Sequence, residues 1–231
     1  MKKSTILSFL VIAVLIPATL WLGTQLPGRW YYLTSTLIIL ETMLPFFFLF
    51  EKRKPQAREL VTIAVMCALA TVSRVAFAFL PGFKPITGII MIAGIAFGAE
   101  AGFMTGAISA FASNFFYSQG PWTPWQMMAY GFGGFLAGAL FSKKGRTKNP
   151  IILGIFGFFA IVLAVGPLLD CCTVFTSLTT FSTEAVLLVF ARGLVYNATH
   201  GVSCSLTLLL FSKPLLEKLD RLKTKYGMLE V

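Results

Sequence analysis

Tryptophan and carboxamide side chains are concentrated in one stretch, Asn114–Gln126, which reads Asn-Phe-Phe-Tyr-Ser-Gln-Gly-Pro-Trp-Thr-Pro-Trp-Gln. Aromatic rings with a polar edge are typical of the membrane–water interface, and anchoring there is one interpretation of the tryptophans. It does not explain the amides beside the rings, or the prolines that stiffen the chain by fixing φ. A rigid rim of aromatic planes and neutral amides suits an uncharged, amide-rich ligand. The stretch therefore predicts a loop that forms one wall of a binding site.

Ten residues are candidates for contact with such a ligand. They share an aromatic, amide or cationic side chain at segments predicted to end on the same side, and they are Lys84, Asn114, Phe115, Tyr117, Gln119, Trp122, Trp125, Gln126, Arg192 and Tyr196.

Arg192, Tyr196 and His200 recur at intervals of four residues, so they share one face of a helix. One hypothesis is that this face lines the inner wall of a cavity under the aromatic stretch. The alternative is that Arg192 reaches the outer interface or pairs with Asp170 or Glu184, while His200 is a hydrogen-bonded core residue. Charged groups within membrane segments are costly, so each needs a partner or a function.

The sequence lacks the usual patterns of catalysis and of metal binding. It contains no His-Glu metal motif, no Gly-x-Ser-x-Gly turn and no phosphate-binding Gly-x-x-x-x-Gly-Lys-Ser/Thr loop. We therefore expect no catalytic residue, no metal ligand and no permanently bound cofactor. If ATP drives the protein, another polypeptide must hydrolyse it.

Composition places the chain in a membrane. Of its 231 residues 57% are hydrophobic and 12% are charged, and the mean hydropathy is +0.82. An average globular protein carries about 25% charged residues. The net charge of +10 comes from short basic clusters between apolar runs, a pattern typical of cytoplasmic loops rather than of nucleic-acid binding. The sequence thus predicts an all-α, multi-pass protein of the cell membrane whose partners include the lipid bilayer and exclude nucleic acid.

Eight apolar segments are predicted, at about 5–24, 31–50, 59–80, 86–99, 101–117, 125–142, 150–169 and 184–211. The basic clusters fall on one side if all eight cross the membrane, which places both termini in the cytoplasm and Asn114–Gln126 outside. Segment 86–99 is short and glycine-rich, so we expect a short or tilted helix buried among its neighbours. The seventh segment is expected to end at Gly166-Pro167 and to lead into a polar outer loop, Asp170–Thr183.

The charge run after the second segment divides the chain. We predict an N-terminal transmembrane hairpin over 1–55, a six-helix substrate-binding core over 56–212, and a cytoplasmic amphipathic tail over 213–231. Small residues at four-residue spacing favour close helix packing, as for Gly94 with Gly98 and for Gly134 with Gly138. Ala64 and Ala68 instead offer a smooth face to another subunit.

The core resembles the substrate-binding S component of energy-coupling factor (ECF) vitamin transporters. Three features carry the likeness: Arg58-Glu-Leu with Ala64-Val-Met-Cys-Ala68, the Phe83-Lys84-Pro85 turn, and above all Asn114–Gln126, which is similar to the signature loop of the cobalamin-specific type. The resemblance implies that the protein captures a vitamin outside, docks through Ala64 and Ala68 on a transmembrane coupling subunit that bears two cytoplasmic ATPases, and tips to release its cargo inward.

Cobalamin is the transported substrate that this resemblance implies. Its many amides would exchange hydrogen bonds with Asn114, Gln119 and Gln126, and Lys84 or Arg192 would form an ion pair with its phosphate. The alternatives are an S component for another vitamin or precursor, and a stand-alone membrane carrier. The N-terminal hairpin lies outside the six-helix pattern.

Overall fold

The computed structural model describes residues 10–25, 31–52, 55–178 and 181–227, and within them the chain is helical and has no strand. A π-helical turn, Val11–Leu15, leads into α1 (Ile16–Gln25), followed by α2 (Tyr31–Lys52), α3 (Ala57–Ala76), α4 (Ile86–Phe97), α5 (Ala99–Tyr117), α6 (Trp122–Phe141), α7 (Pro150–Ala160), a second π-helical turn (Ile161–Val165), α8 (Gly166–Ser177) and α9 (Thr183–Tyr226). Each predicted apolar segment corresponds to one of these helical stretches.

Length and composition allow four of the described helices to cross a membrane. They are Leu33–Lys52, Ala57–Ala76, Pro150–Ser177 and Thr183–Tyr226. Apolar side chains cover the outside of the protein, as is usual where lipid is the solvent. The prediction of an all-α, multi-pass membrane protein is confirmed.

Helix α4 is the centre of the core. It has 12 residues, and every one of them is buried. Helices α3, α5, α6 and α9 surround it. This confirms the prediction of a short helix enclosed by its neighbours.

Glycines let these helices approach to backbone contact. A Cβ atom on Gly94 would collide with the carbonyl oxygen of Gly134, and one on Gly134 would collide with the carbonyl oxygen of Gly102. A Cβ atom on Gly138 would meet the backbone of Ala99. The glycine pairs therefore serve packing within this chain, where hydrophobic drive between helices is weak and close contact supplies the attraction.

The seventh segment is longer than predicted. The helix does not end at Gly166-Pro167 but continues as α8 to Ser177, so most of the predicted polar loop Asp170–Thr183 is helical. A π-helical turn, Ile161–Val165, precedes the proline. Proline lacks an N–H and its ring crowds the preceding turn, and a π-helical turn is one way to absorb both effects without ending the helix.

The predicted amphipathic tail over 213–231 is not a separate helix in the described residues, because α9 runs without a break through Pro214 to Tyr226. Its last turns pack back on the core through the buried Leu216 and Leu219. Lys223 donates a hydrogen bond to the carbonyl of Ala96 at the end of α4. The amphipathic pattern is real, but its apolar face covers the protein's own helix ends.

The N-terminal hairpin packs against the core through aromatic rings. Phe46 on α2 stacks on Phe103 with ring centroids 4.1 Å apart, and it meets Phe135 edge-on at 5.2 Å. Within the hairpin, Thr19 donates a hydrogen bond of 2.6 Å to Glu41. The hairpin therefore contacts α5 and α6 directly.

Charge divides the two ends of the bundle. The end that holds the α6–α7 connection and the end of α9 carries most of the described cations, namely Lys52, Arg58, Lys143, Lys144, Arg146, Lys148, Lys213, Lys218, Arg221, Lys223 and Lys225. The opposite end holds the α3–α4, α5–α6 and α8–α9 connections. The charge bias assigns the basic end to the cytoplasm.

The glycine contacts predict a difference between neighbouring substitutions. Gly134→Ala should lower the unfolding temperature and cost about 1–3 kcal/mol, because its methyl group meets backbone atoms that cannot move aside. Gly133→Ala is the matched control, since its methyl group meets only the ends of the Val165 and Met91 side chains. Thermal unfolding of the purified variants in detergent measures both; equal unfolding temperatures would contradict the packing account.

Candidate functional site

A polar cavity opens at the end of the bundle opposite the basic clusters. It has two lobes, of about 260 Å³ and about 560 Å³. We call them the Arg74 lobe and the Asp170 lobe. Both are lined by Lys84, Trp122, Gln126 and Tyr196, so the two lobes adjoin along these four side chains.

The stretch Asn114–Gln126 is not the loop that the sequence predicted. Asn114 lies in the last turn of α5 and Trp122 begins α6, so only residues 118–121 connect the two helices. Ser118 adopts the left-handed region with φ of 73°. Prolines are tolerated in the first turn of a helix, where the missing N–H costs no bond, so Pro121 and Pro124 fit the start of α6.

Thr123 fixes this tight connection with its hydroxyl group. It accepts hydrogen bonds from Asn114 Nδ2 at 3.1 Å and from the Gly120 N–H at 3.2 Å, and it donates to Gln119 Oε1 at 2.9 Å. The network ties the end of α5 to the start of α6. It explains why Asn114 is fully buried although its carboxamide is polar.

Seven of the ten predicted ligand contacts line the cavity: Lys84, Asn114, Tyr117, Trp122, Gln126, Arg192 and Tyr196. The other three do not line it. Phe115 is 70% exposed on the outside of the bundle, Gln119 donates a hydrogen bond of 3.0 Å to the Phe111 carbonyl, and Trp125 stacks on Phe175 beside the N-terminal hairpin. For Phe115 and Trp125, helical geometry explains the difference, because consecutive residues of a helix point to different sides.

Arg74 is a cavity residue that the predicted set of ligand contacts did not include. It lies in the last turn of α3, and only 6% of its surface is exposed. Its Nη1 atom donates to the Ser113 hydroxyl and to Asn114 Oδ1, the latter at 3.0 Å. Its guanidinium lies 4.5 Å from the ring centre of Tyr117 and 5.8 Å from that of Tyr130. The signal that could have found it was an arginine in an apolar segment.

The Asp170 lobe is lined by helices α8 and α9. Asp170 accepts a hydrogen bond of 2.8 Å from Asn197 Nδ2, and its carboxylate lies directly over Gly193, where a side chain would collide with it. Arg192 lines the same lobe but forms no ion pair with Asp170 or Glu184 among the described residues. The pairing considered for Arg192 is therefore absent in this part of the chain, and its charge faces the cavity.

Two further predicted residues have different surroundings. Lys84 lies over the ring of Tyr196, with its Nζ atom 4.8 Å from the ring centre. His200 does not line either lobe: it is buried and hydrogen-bonded to Thr87 at 3.0 Å. The interpretation of His200 as a satisfied core residue is confirmed.

Ala64 and Ala68 lie in the middle of α3, and both are exposed. The apolar side chains of Val61 and Val65 beside them are also exposed, at 64% and 60%. This face of α3 is thus smooth, apolar and uncovered by other described residues.

The architecture is that of a helical membrane protein with a polar cavity at the end opposite its basic clusters and an exposed apolar face on α3. Residues 54–217 match the sequence model of the family described as ECF-type riboflavin transporter, S component, and because this match spans most of the chain, the protein belongs to that family. Comparison with curated proteins gave no match, and neither did comparison with solved structures. The protein is thus a substrate-binding membrane subunit of a vitamin transporter. The N-terminal hairpin lies outside the matched region.

Thr123 offers a test of how the site is built. Thr123→Val should lower the unfolding free energy by about 1–3 kcal/mol, because Asn114 Nδ2, the Gly120 N–H and Gln119 Oε1 each lose a partner. Thr224→Val is the control, since that hydroxyl only bonds the Asp220 carbonyl of its own exposed helix. Equal unfolding temperatures for the two variants would contradict the network's role.

Proposed function

We propose that this protein captures cobalamin, and related corrinoids, on the outer side of the membrane and delivers it inward as the S component of an ECF-type importer. The observation that carries the proposal is the two-lobed cavity, which presents ring faces, a carboxamide and cations to one space open to the outside.

The lining matches the chemistry of a corrinoid. Cobalamin bears neutral amides around a flat ring system and one phosphate. Trp122 and Tyr196 offer ring faces, and Gln126 offers a carboxamide whose oxygen has no hydrogen-bond partner among the described residues. Many neutral hydrogen bonds would then set affinity together with apolar contact.

The charge of the cavity favours an anionic cargo. Arg74, Lys84 and Arg192 line the two lobes, whereas Asp170 is the one carboxylate that lines them among the described residues. An excess of cations in a site of low dielectric is stabilised by a negative group on the ligand. Cobalamin supplies one in its phosphate.

Riboflavin is the second candidate, because the description of the matching family names that vitamin. The size of the cavity also favours a smaller cargo, since the Asp170 lobe of about 560 Å³ lies within the range of sites for drug-sized ligands. A flavin ring would lie between Trp122 and Tyr196. Cobalamin, which is much larger, would fill both lobes and extend into the mouth.

Transport requires partners that this chain does not contain. We infer that a transmembrane coupling subunit docks on the exposed face of α3 at Ala64 and Ala68, and that two cytoplasmic ATPases supply the energy. Small side chains allow close backbone contact, so the protein could be held firmly while it tips to release its cargo.

The two neighbouring tryptophans test the cavity as the capture site. Trp122→Ala should weaken cobalamin binding roughly tenfold or more, because it removes a ring face shared by both lobes. Trp125→Ala is the matched control and should leave binding within about twofold while lowering stability, since its ring packs on Phe175. Equilibrium binding to the purified proteins measures both effects, with riboflavin run in parallel. Cobalamin binding that is absent in the wild type, or equal in the two variants, would refute the assignment.

The face of α3 is tested separately by uptake. Ala64→Leu and Ala68→Leu should abolish cobalamin-dependent growth of a cell that lacks its own uptake system and expresses this chain with general coupling subunits. The purified variants should still bind cargo, because neither position lines the cavity. Normal growth of both variants would remove the docking assignment.

A further inference from the structure

The geometry points to an anion-binding subsite in the Arg74 lobe, in which Arg74 and Lys84 receive a phosphate or carboxylate group of the cargo. This inference rests on the proposed function, since it assigns to one lobe of the capture cavity the part of the ligand that carries charge. It adds Arg74 as a specificity-determining residue.

Arg74 is a buried cation for which the described residues provide no carboxylate counter-ion. Among the described residues, no carboxylate lines the Arg74 lobe. The ion pairs that Lys148 and Lys223 form with Asp220 lie at the opposite end of the bundle. Burying an uncompensated charge is expensive, and the neutral oxygens of Ser113 and Asn114 offset only part of that cost. A bound anion would supply the rest.

A purely structural link between α3 and α5 would not need the charge of Arg74. Arg74 ties α3 to α5 through Ser113 and Asn114, and Tyr117 donates a hydrogen bond of 2.9 Å to the Arg74 carbonyl. A neutral hydrogen-bonding side chain could join the same helices at a lower desolvation cost. The ring faces of Tyr117 and Tyr130, with centres 4.5 Å and 5.8 Å from the guanidinium, stabilise a cation here but supply no negative charge.

The hydrogen-bond donors of Arg74 are only partly engaged by the described residues. The protein acceptors engage Nη1, while Nε is buried without a hydrogen-bond partner among the described residues, and Arg74 lines the lobe. A guanidinium offers five donors in a planar fork that matches an oxyanion. Lys84 lines the same lobe and adds a second positive charge. A volume of about 260 Å³ admits a phosphate group and is smaller than the sites of about 300–1,000 Å³ that hold whole drug-sized ligands.

The test uses pairs of related ligands of which only one member carries a phosphate group. One pair is cobalamin and cobinamide, which lacks the phosphate-linked nucleotide; the other is flavin mononucleotide and riboflavin. Dissociation constants are measured on the purified full-length protein for the wild type, Arg74→Gln and Lys84→Gln. Arg192→Gln is the control, because that cation lines the other lobe.

For whichever pair binds, we expect Arg74→Gln to reduce the preference for the phosphate-bearing member by roughly ten- to hundredfold. Lys84→Gln should reduce this preference less, since the lysine ammonium is a flexible point charge and does not offer two parallel donors to the phosphate. Arg192→Gln should lower the affinity for both members while keeping their ratio. An unchanged ratio in both Arg74→Gln and Lys84→Gln would overturn the subsite and leave vitamin capture standing.

Inorganic phosphate provides a probe that does not depend on the cargo. At constant ionic strength, phosphate should raise the unfolding temperature of the wild type more than that of Arg74→Gln or Lys84→Gln; the comparison removes the general stabilisation that phosphate gives to proteins. Equal shifts in all three proteins would overturn the subsite. A larger wild-type shift without corrinoid or flavin binding would support the subsite and refute the proposed cargoes.

Discussion

The close approach of helix backbones at glycine is the constraint on which the rest of this structure depends. Gly94, Gly102 and Gly134 bring α4, α5 and α6 together without intervening side chains. This contact encloses α4, whose 12 residues span about 18 Å. A bilayer core is about 30 Å thick. The central helix is therefore too short to fill the bundle, and the space beyond its first residue, Ile86, is where the polar cavity lies.

Helix α3 carries residues of both the cavity and the proposed docking face. Arg74, near its outer end, lines the cavity, whereas Ala68 and Ala64 lie one and a half to three turns earlier on the exposed face. At about 1.5 Å per residue, Arg74 and Ala68 are separated by roughly 9 Å along the axis. A cargo bound at one end and a subunit docked at the other would therefore contact the same short rigid element.

Much of this architecture could be predicted from sequence because lipid imposes simple rules. Apolar length located the eight helical segments, and the basic clusters assigned their direction. The errors arose at prolines, because the same residue can start a helix, end it or be accommodated within it. Pro121 and Pro124 were interpreted as stiffening a loop, but they start α6; Pro167 was interpreted as a helix end, but a π-helical turn accommodates it. Local sequence does not decide between these outcomes, because neighbouring helices supply the deciding contacts.

The lining of the cavity was predicted in outline and not in detail for a similar reason. The composition of Asn114–Gln126 indicated a binding wall, yet the face on which each residue lies depends on where the helices begin and end. Trp122 therefore lines the cavity, whereas Trp125, three residues later, packs beside the hairpin. Arg74 was visible as a charge in an apolar segment, but its role depends on Ser113 and Asn114, which only the fold brings to it.

The central claim is that the cavity opens to the outside and holds the cargo, and labelling of a single cysteine tests it most directly. Thr173 is exposed and lines the Asp170 lobe, so Thr173→Cys would be introduced after the native Cys67, Cys171, Cys172 and Cys204 are replaced. A membrane-impermeant thiol reagent added to whole cells should label this cysteine, and saturating cobalamin should slow the labelling at least severalfold. Labelling that occurs only after the membrane is opened would contradict the account, as would a rate that neither cobalamin nor riboflavin changes.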